Sequence, residues 1–314
     1  MPHVAPKAPD ASVPATPLTP RAGAGAGGAD LLAALAPAVF LVLWALGFVV
    51  AKIGLAHADP LSFLAIRYLI LVAVLVPVVA VLRPPMPRGA RAWGHIAMVG
   101  FLIQVVYFGA AYAGMAMGVS AGVAAVIGST QPLAVALAAP ALTGERIAAR
   151  GWLGLALGAG GSLAVVLSGR GLDAAPPVAV LACVVSMLGM AAATLWQRRF
   201  AVPAHPLWVN LIHFGLGSAV IGPAALAGPL QVDWTPGFWG AVLWVSITNS
   251  LVSISILLFL LKRSEAARVS ALFYLVPPLA AVIGWAALGE SLALAGWAGI
   301  AVAAAGVWLV SARR

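Results

Sequence analysis

The chain has 314 residues, of which 63% are hydrophobic and only 8% charged, with a mean hydropathy of +1.07 and a formal net charge of +9. Water-soluble domains carry about 25% charged residues, so this chain has too little polar surface to face water on all sides. Its cations are spread singly or in pairs at the ends of apolar runs, which excludes a nucleic-acid partner, and a single cysteine, Cys183, excludes an intrachain disulfide.

The fold class follows from the apolar runs. They reach about 20 residues, the length that crosses a bilayer as a helix, and they lack the alternation of a membrane barrel. The chain therefore reads as an all-α integral membrane protein with the lipid bilayer as its first partner.

Residues 1–30 are rich in Pro, Ala and Gly and read as a disordered tail, with no signal-peptide pattern. Ten spans are predicted after it, at about 31–52, 60–82, 93–117, 119–142, 150–168, 176–197, 207–229, 237–261, 267–288 and 292–311. Pro and Gly punctuate the gaps, as at Asp59-Pro60, Pro84-Pro85, Pro176-Pro177, Pro203 with Pro206, and Pro236-Gly237. The shortest gap lies around Gly118.

Charge sets the expected orientation. With the tail in the cytoplasm, fourteen Lys and Arg fall on inside segments, while the outside loops hold Arg170 alone; Lys52 and Arg67 lie at or within spans. Such asymmetry predicts both termini in the cytoplasm.

The chain also repeats itself. A shift of 145 carries Pro132 onto Pro277, Gly144-Glu145 onto Gly289-Glu290, Gly151-Trp152 onto Gly296-Trp297, Gly154 onto Gly299 and Gly161 onto Gly306. The predicted halves are 31–171 and 172–314, five spans each. An odd number makes the second half enter the membrane from the opposite side, the inverted repeat of many secondary transporters.

These residues carry a family likeness. Trp44-Ala45-Leu46-Gly47-Phe48-Val49 with Lys52 in span one, Arg67 in span two, Pro132 before Gly144-Glu145-Arg146, and Pro277 before Gly289-Glu290 resemble the drug/metabolite transporter superfamily, specifically its ten-span EamA-like members. The resemblance implies an inner-membrane carrier of small metabolites without a cofactor, most often an exporter of amino acids or related compounds. Some relatives instead import vitamins or exchange nucleotide sugars. Monomer and homodimer both remain open. Ala45-Leu46-Gly47 departs from the pattern of many relatives, which have Gly after the Trp and a polar residue before the Phe, so no substrate is carried across.

Candidate site residues come from chemistry that is costly in lipid. Trp44, Gln104, Tyr107, Tyr112, Gln131, Asn249 and Tyr274 are polar or amphipathic groups within spans, expected to line one substrate cavity or to bond helix to helix. Lys52 and Arg67 are candidates for attracting a substrate carboxylate, or for anchoring at the interface. Pro132 and Pro277 should kink their helices and free the carbonyls of Gly128 and Phe273; the kinks read as movable cavity walls or as static bends. Glu145 and Glu290 fall a bilayer apart, each before a span, and read as caps. His213, the one neutral-pH titrating group at mid-span, reads as a packing group, and no acidic residue lies at the bilayer centre. Transport without obligatory proton coupling is expected. Trp93, Trp234 and Trp239 read as an interfacial belt. No metal spacing and no paired base and nucleophile for an enzyme appear.

Overall fold

The computed structural model describes residues 26–143, 149–168, 175–200, 202–253, 256, 260, 276–289 and 293–311. It divides into a short unit, Met1–Leu35, and a main unit, Ala36–Arg314; the packing below is that of the main unit. The described residues are helical apart from an isolated bridge between Ala58 and Val232.

In chain order the elements are α1 (Ala26–Leu55), α2 (Pro60–Leu82), α3 (Ala90–Gly100), a π-helical segment π1 (Phe101–Tyr107), α4 (Phe108–Ala116), α5 (Ala121–Ser129) and α6 (Gln131–Thr143). There follow α7 (Ala149–Ser168), α8 (Pro177–Arg199), α9 (Pro206–Leu226), α10 (Pro236–Leu243), a second π-helical segment π2 (Trp244–Ser253), α11 (Val276–Leu288) and α12 (Leu294–Ser311). Among the described residues, six helical stretches are long and apolar enough to cross a membrane.

Local chemistry sets the helix starts. Asp59 caps α2 by accepting from the Leu61 and Ser62 amides, with Pro60 in the first turn, where no amide proton is needed. Ser120 caps α5 through the Val123 amide, Thr235 caps α10 through Phe238, and His205 caps α9 through Leu207. Gly118, at φ +112°, makes the short turn between α4 and α5 that a side chain would strain.

Three expectations are corrected. Helix α1 begins at Ala26, not near residue 31; the good helix formers Ala and Leu that dominate 29–36 carry it back through Gly27-Gly28. The stretches expected as the third and eighth spans each carry a π-helical segment, π1 and π2. The fourth, which still runs as one apolar stretch from Ala121 to Ala138, is interrupted at the single residue Thr130, with Pro132 in the first turn of α6. The Ser129 and Thr130 hydroxyls donate to the carbonyls of Val126 and Ile127 at that break.

Contacts between elements repeat with the sequence. A Cβ at Gly161 would strike the backbone of Ala303 and Gly299, and one at Gly306 the backbone of Gly158 and Gly154. The shift of 145 exchanges these two contacts. A shift of 146 carries Asp59, Arg67, Tyr68 and Pro77 of α2 and its cap onto His205, His213, Phe214 and Pro223 of α9 and its cap. Tyr68 and Phe214, thus related, pack at 6.0 Å between ring centroids. The π segments correspond as well: the shift of 145 places Gln104 of π1 on Asn249 of π2.

Candidate functional site

The site is built outward from Arg67, two turns into α2 and only 2% exposed. Its Nη1 donates to the Tyr112 hydroxyl (3.1 Å) on α4, and its Nη2 donates to Ser250 Oγ (2.9 Å) on π2. The guanidinium lies 4.2 Å from the ring centre of Phe108 and 5.8 Å from that of Tyr68. Tyr112 is held from behind by the rings of Phe63 and Phe108, at 5.7 and 5.8 Å.

The π turns make this grouping possible. One wide turn resets the facing of every later residue in a helix. In π2 it lets Ser250 donate to the carbonyl of Val245, five residues back (3.0 Å), while its oxygen accepts from Arg67. In π1 it opens the backbone at Gln104, whose carbonyl accepts from the Tyr68 hydroxyl at 2.6 Å.

A buried guanidinium stays charged and is costly unless it is paired. Here hydroxyls and ring faces solvate the charge without neutralising it. Arg67 Nε has no hydrogen-bond partner among the described residues, and no described carboxylate pairs with the group. Two buried amide oxygens on the π segments are also unpartnered among those residues, Gln104 Oε1 of π1 and Asn249 Oδ1 of π2. The arrangement can neutralise and orient an anion.

The other sequence candidates divide. Tyr112 and Gln104 join the Arg67 group, Gln104 through Tyr68. Asn249 precedes Ser250 and lies against α1 at Gly47, where a Cβ would sit 2.6 Å from its Nδ2. Tyr107 is half-buried against Phe108, at 4.7 Å. Gln131 donates to Thr194 Oγ1 of α8 (2.9 Å), and Lys52 donates to the Val119 carbonyl (2.7 Å). Trp44 packs with Phe40 at 5.4 Å and beside Leu260. His213 is buried and packs against Gly100, with its Nε2 unpartnered among the described residues. Pro277 lies in α11; Tyr274, Glu145 and Glu290 lie outside the described residues. Arg67 does not reach the interface, as a long cation at a span end could: it is turned inward.

Sequence reasoning missed Ser250, Tyr68 and Phe108. Tyr68 and Ser250 each adjoin a candidate, but in a regular helix adjacent residues face apart. No residue pattern marks a π turn.

The profile of the EamA-like transporter family matches the chain twice, over residues 30–167 and 177–312. The chain belongs to the EamA-like transporter family. It is therefore a multi-pass membrane transporter of the drug/metabolite type. An uncharacterized transporter of Synechocystis is 27% identical, covering 86% of this transporter and 87% of the relative. The uncharacterized inner membrane transporter YedA of Escherichia coli is 24% identical, over 86% and 87% of the two chains. The uncharacterized transporter YvbV of Bacillus subtilis is also 24% identical, over 89% and 92%. A crystal structure of a protein 19% identical in sequence shares the fold, with a TM-score of 0.62 over 88% of this transporter and 94% of that chain.

Proposed function

We propose that this transporter is an inner-membrane secondary carrier that exports small carboxylate-bearing metabolites, amino acids or related compounds, by alternating access between two inverted five-span repeats. Ten spans, both termini in the cytoplasm and no cofactor complete the reading. The observation that carries it is Arg67: a buried guanidinium held by Tyr112 and Ser250, with Nε unpartnered and no described carboxylate on it. A substrate carboxylate would neutralise that charge inside the membrane, and its departure would restore the charge to the hydroxyls and rings. The exchanged contacts of Gly161 and Gly306, and the placing of π1 and π2 in the same register, support two related halves that can rock about a shared site.

The test is a metabolite comparison of cells with and without the transporter, inside and outside, alongside cells carrying Arg67→Met. Carboxylate-bearing compounds should gather outside with the wild type and not with the variant, at equal abundance in the membrane. Accumulation inside would reverse the direction. Export of uncharged compounds alone, undiminished in Arg67→Met, would overturn the carboxylate reading.

A further inference from the structure

A second feature lies far from Arg67 and serves no part of that reading. At the shared end of α3, α8 and α9, a groove of about 510 Å³ is lined by Ala92 and His95 of α3, Arg198 and Arg199 of α8, and Phe200 and Pro203 of the connection to α9. We propose that this groove binds the phosphate headgroup of an anionic phospholipid.

Three observations point there. The first is charge. Arg198 and Arg199 are exposed, with Arg88 and Arg91 exposed at the start of α3, and neither 83–100 nor 190–210 contains an Asp or Glu. An anion arriving here meets cations with no competing carboxylate on these segments.

The second is preorganisation. His95 stacks on Phe200 at 4.4 Å and 10° between planes, and Trp196 closes on Phe200 at 4.7 Å. The Arg199 guanidinium lies 5.3 Å from the Phe200 ring centre. A guanidinium already lying on a ring loses less freedom on binding phosphate than a free one, and its planar fork suits phosphate oxygens.

The third is depth, and it selects a lipid over a soluble phosphate. The groove lies where three candidate spans end together, Ala90–Ala116, Pro177–Arg199 and Pro206–Leu226. Trp93 and Trp208 meet edge-on beside it (5.8 Å), donating their indole N–H groups to the carbonyls of Pro87 and Pro84, as ring groups do at headgroup level. From Arg199 an exposed stripe runs down α8 at helical spacing through Ala192, Leu188, Val185 and Leu181. Phosphate at the top of an apolar track is the shape of a phospholipid. Basic pockets between span ends are where such headgroups bind.

The experiment uses the full chain in vesicles of phosphatidylcholine carrying a few per cent of spin-labelled phosphatidylglycerol or spin-labelled phosphatidylcholine. The fraction of motionally restricted label reports preference for the anionic lipid. The wild type should prefer it, and Arg198→Gln with Arg199→Gln should lower the preference about thirtyfold, at roughly one kcal/mol for each of the two interfacial cations. Arg88→Gln with Arg91→Gln removes the same charge outside the groove and should change it far less. An equal effect from both pairs would mean a diffuse surface field, and an unchanged preference in the first pair would leave the groove without a lipid; either overturns the proposal. Soluble glycerol phosphate at millimolar concentration should not displace the label; displacement would make this a site for soluble phosphates instead. If the first pair unfolds, Phe200→Leu keeps both charges and should still weaken the preference.

Discussion

Arg67 shows what one residue in a membrane span can and cannot reveal. Its presence marked a functional candidate, since a cation within a span is tolerated only where something solvates it. What solvates it was not legible: Ser250 is an ordinary serine in an apolar run, and such hydroxyls usually return to their own backbone. Removing the fork while keeping the charge should separate the two roles. Arg67→Lys should cut transport of a carboxylate substrate about tenfold or more, because a charge-assisted pair contributes about 1.5–3 kcal/mol. Membrane abundance should hold, since Lys can still reach one hydroxyl. Equal falls in abundance and transport would make Arg67 a structural residue.

Gly47 offers a second residue-scale test. A methyl group there would meet the Asn249 amide, with Nδ2 at 2.6 Å. Gly47→Ala should lower the unfolding temperature of the purified transporter, and adding Asn249→Ala should return most of the loss by making room. If the double variant is worse than Gly47→Ala alone, Asn249 has moved aside and the close contact is not what makes Gly47 necessary.

Among the elements, the helix boundaries were legible because their causes are local: Asp59-Pro60, Ser120, Thr235-Pro236 and the Gly118 turn each act within a few residues. The proline in span four was legible too, but not the residue at which the helix yields. A proline fits best where no amide proton is needed, so the one-residue interruption falls at Thr130 and leaves Pro132 in the first turn of α6. The π turns were invisible, since their partners lie on other helices: Tyr68 for π1 and Arg67 for π2. Deleting Val105 should return π1 to α-helical winding and turn Phe108 and Tyr112 away from Arg67. Transport should fall below a tenth of the wild type, about the loss of one strong hydrogen bond. Deleting Val81 near the exposed end of α2 should be tolerated far better, and the same assay compares the two.

At the scale of the whole molecule, the duplication was the most legible feature, because special residues at a constant shift survive in a chain otherwise rich in Ala and Leu. The cation asymmetry and the five-span half together lead us to expect reporters fused after Arg314 to behave as cytoplasmic and those near Arg170 as external. A periplasmic carboxyl terminus would sink the inverted arrangement. Energy coupling belongs to the same scale. His213, the counterpart of Arg67 under the shift of 146, is buried and wedged against Gly100, a tightly packed position unsuited to a proton carrier. In proteoliposomes with equal substrate on both sides, a pH gradient should therefore drive no net accumulation; uphill uptake that persists in His213→Ala would require another proton path.

The glycine seam between α7 and α12 has a further consequence for how damage adds up. Gly161 and Gly306 each face bare backbone on the opposite helix, so any side chain at either acts as a wedge between the same two rods. The first wedge prises them apart; the second enters a gap already open. Gly161→Val and Gly306→Val should each destabilise the transporter by a similar amount, on the order of 1–3 kcal/mol for an overpacked contact. Together they should cost clearly less than the sum, since neighbours sharing one displacement do not add. Two wounds 145 residues apart in the sequence would then heal, or fail, as one.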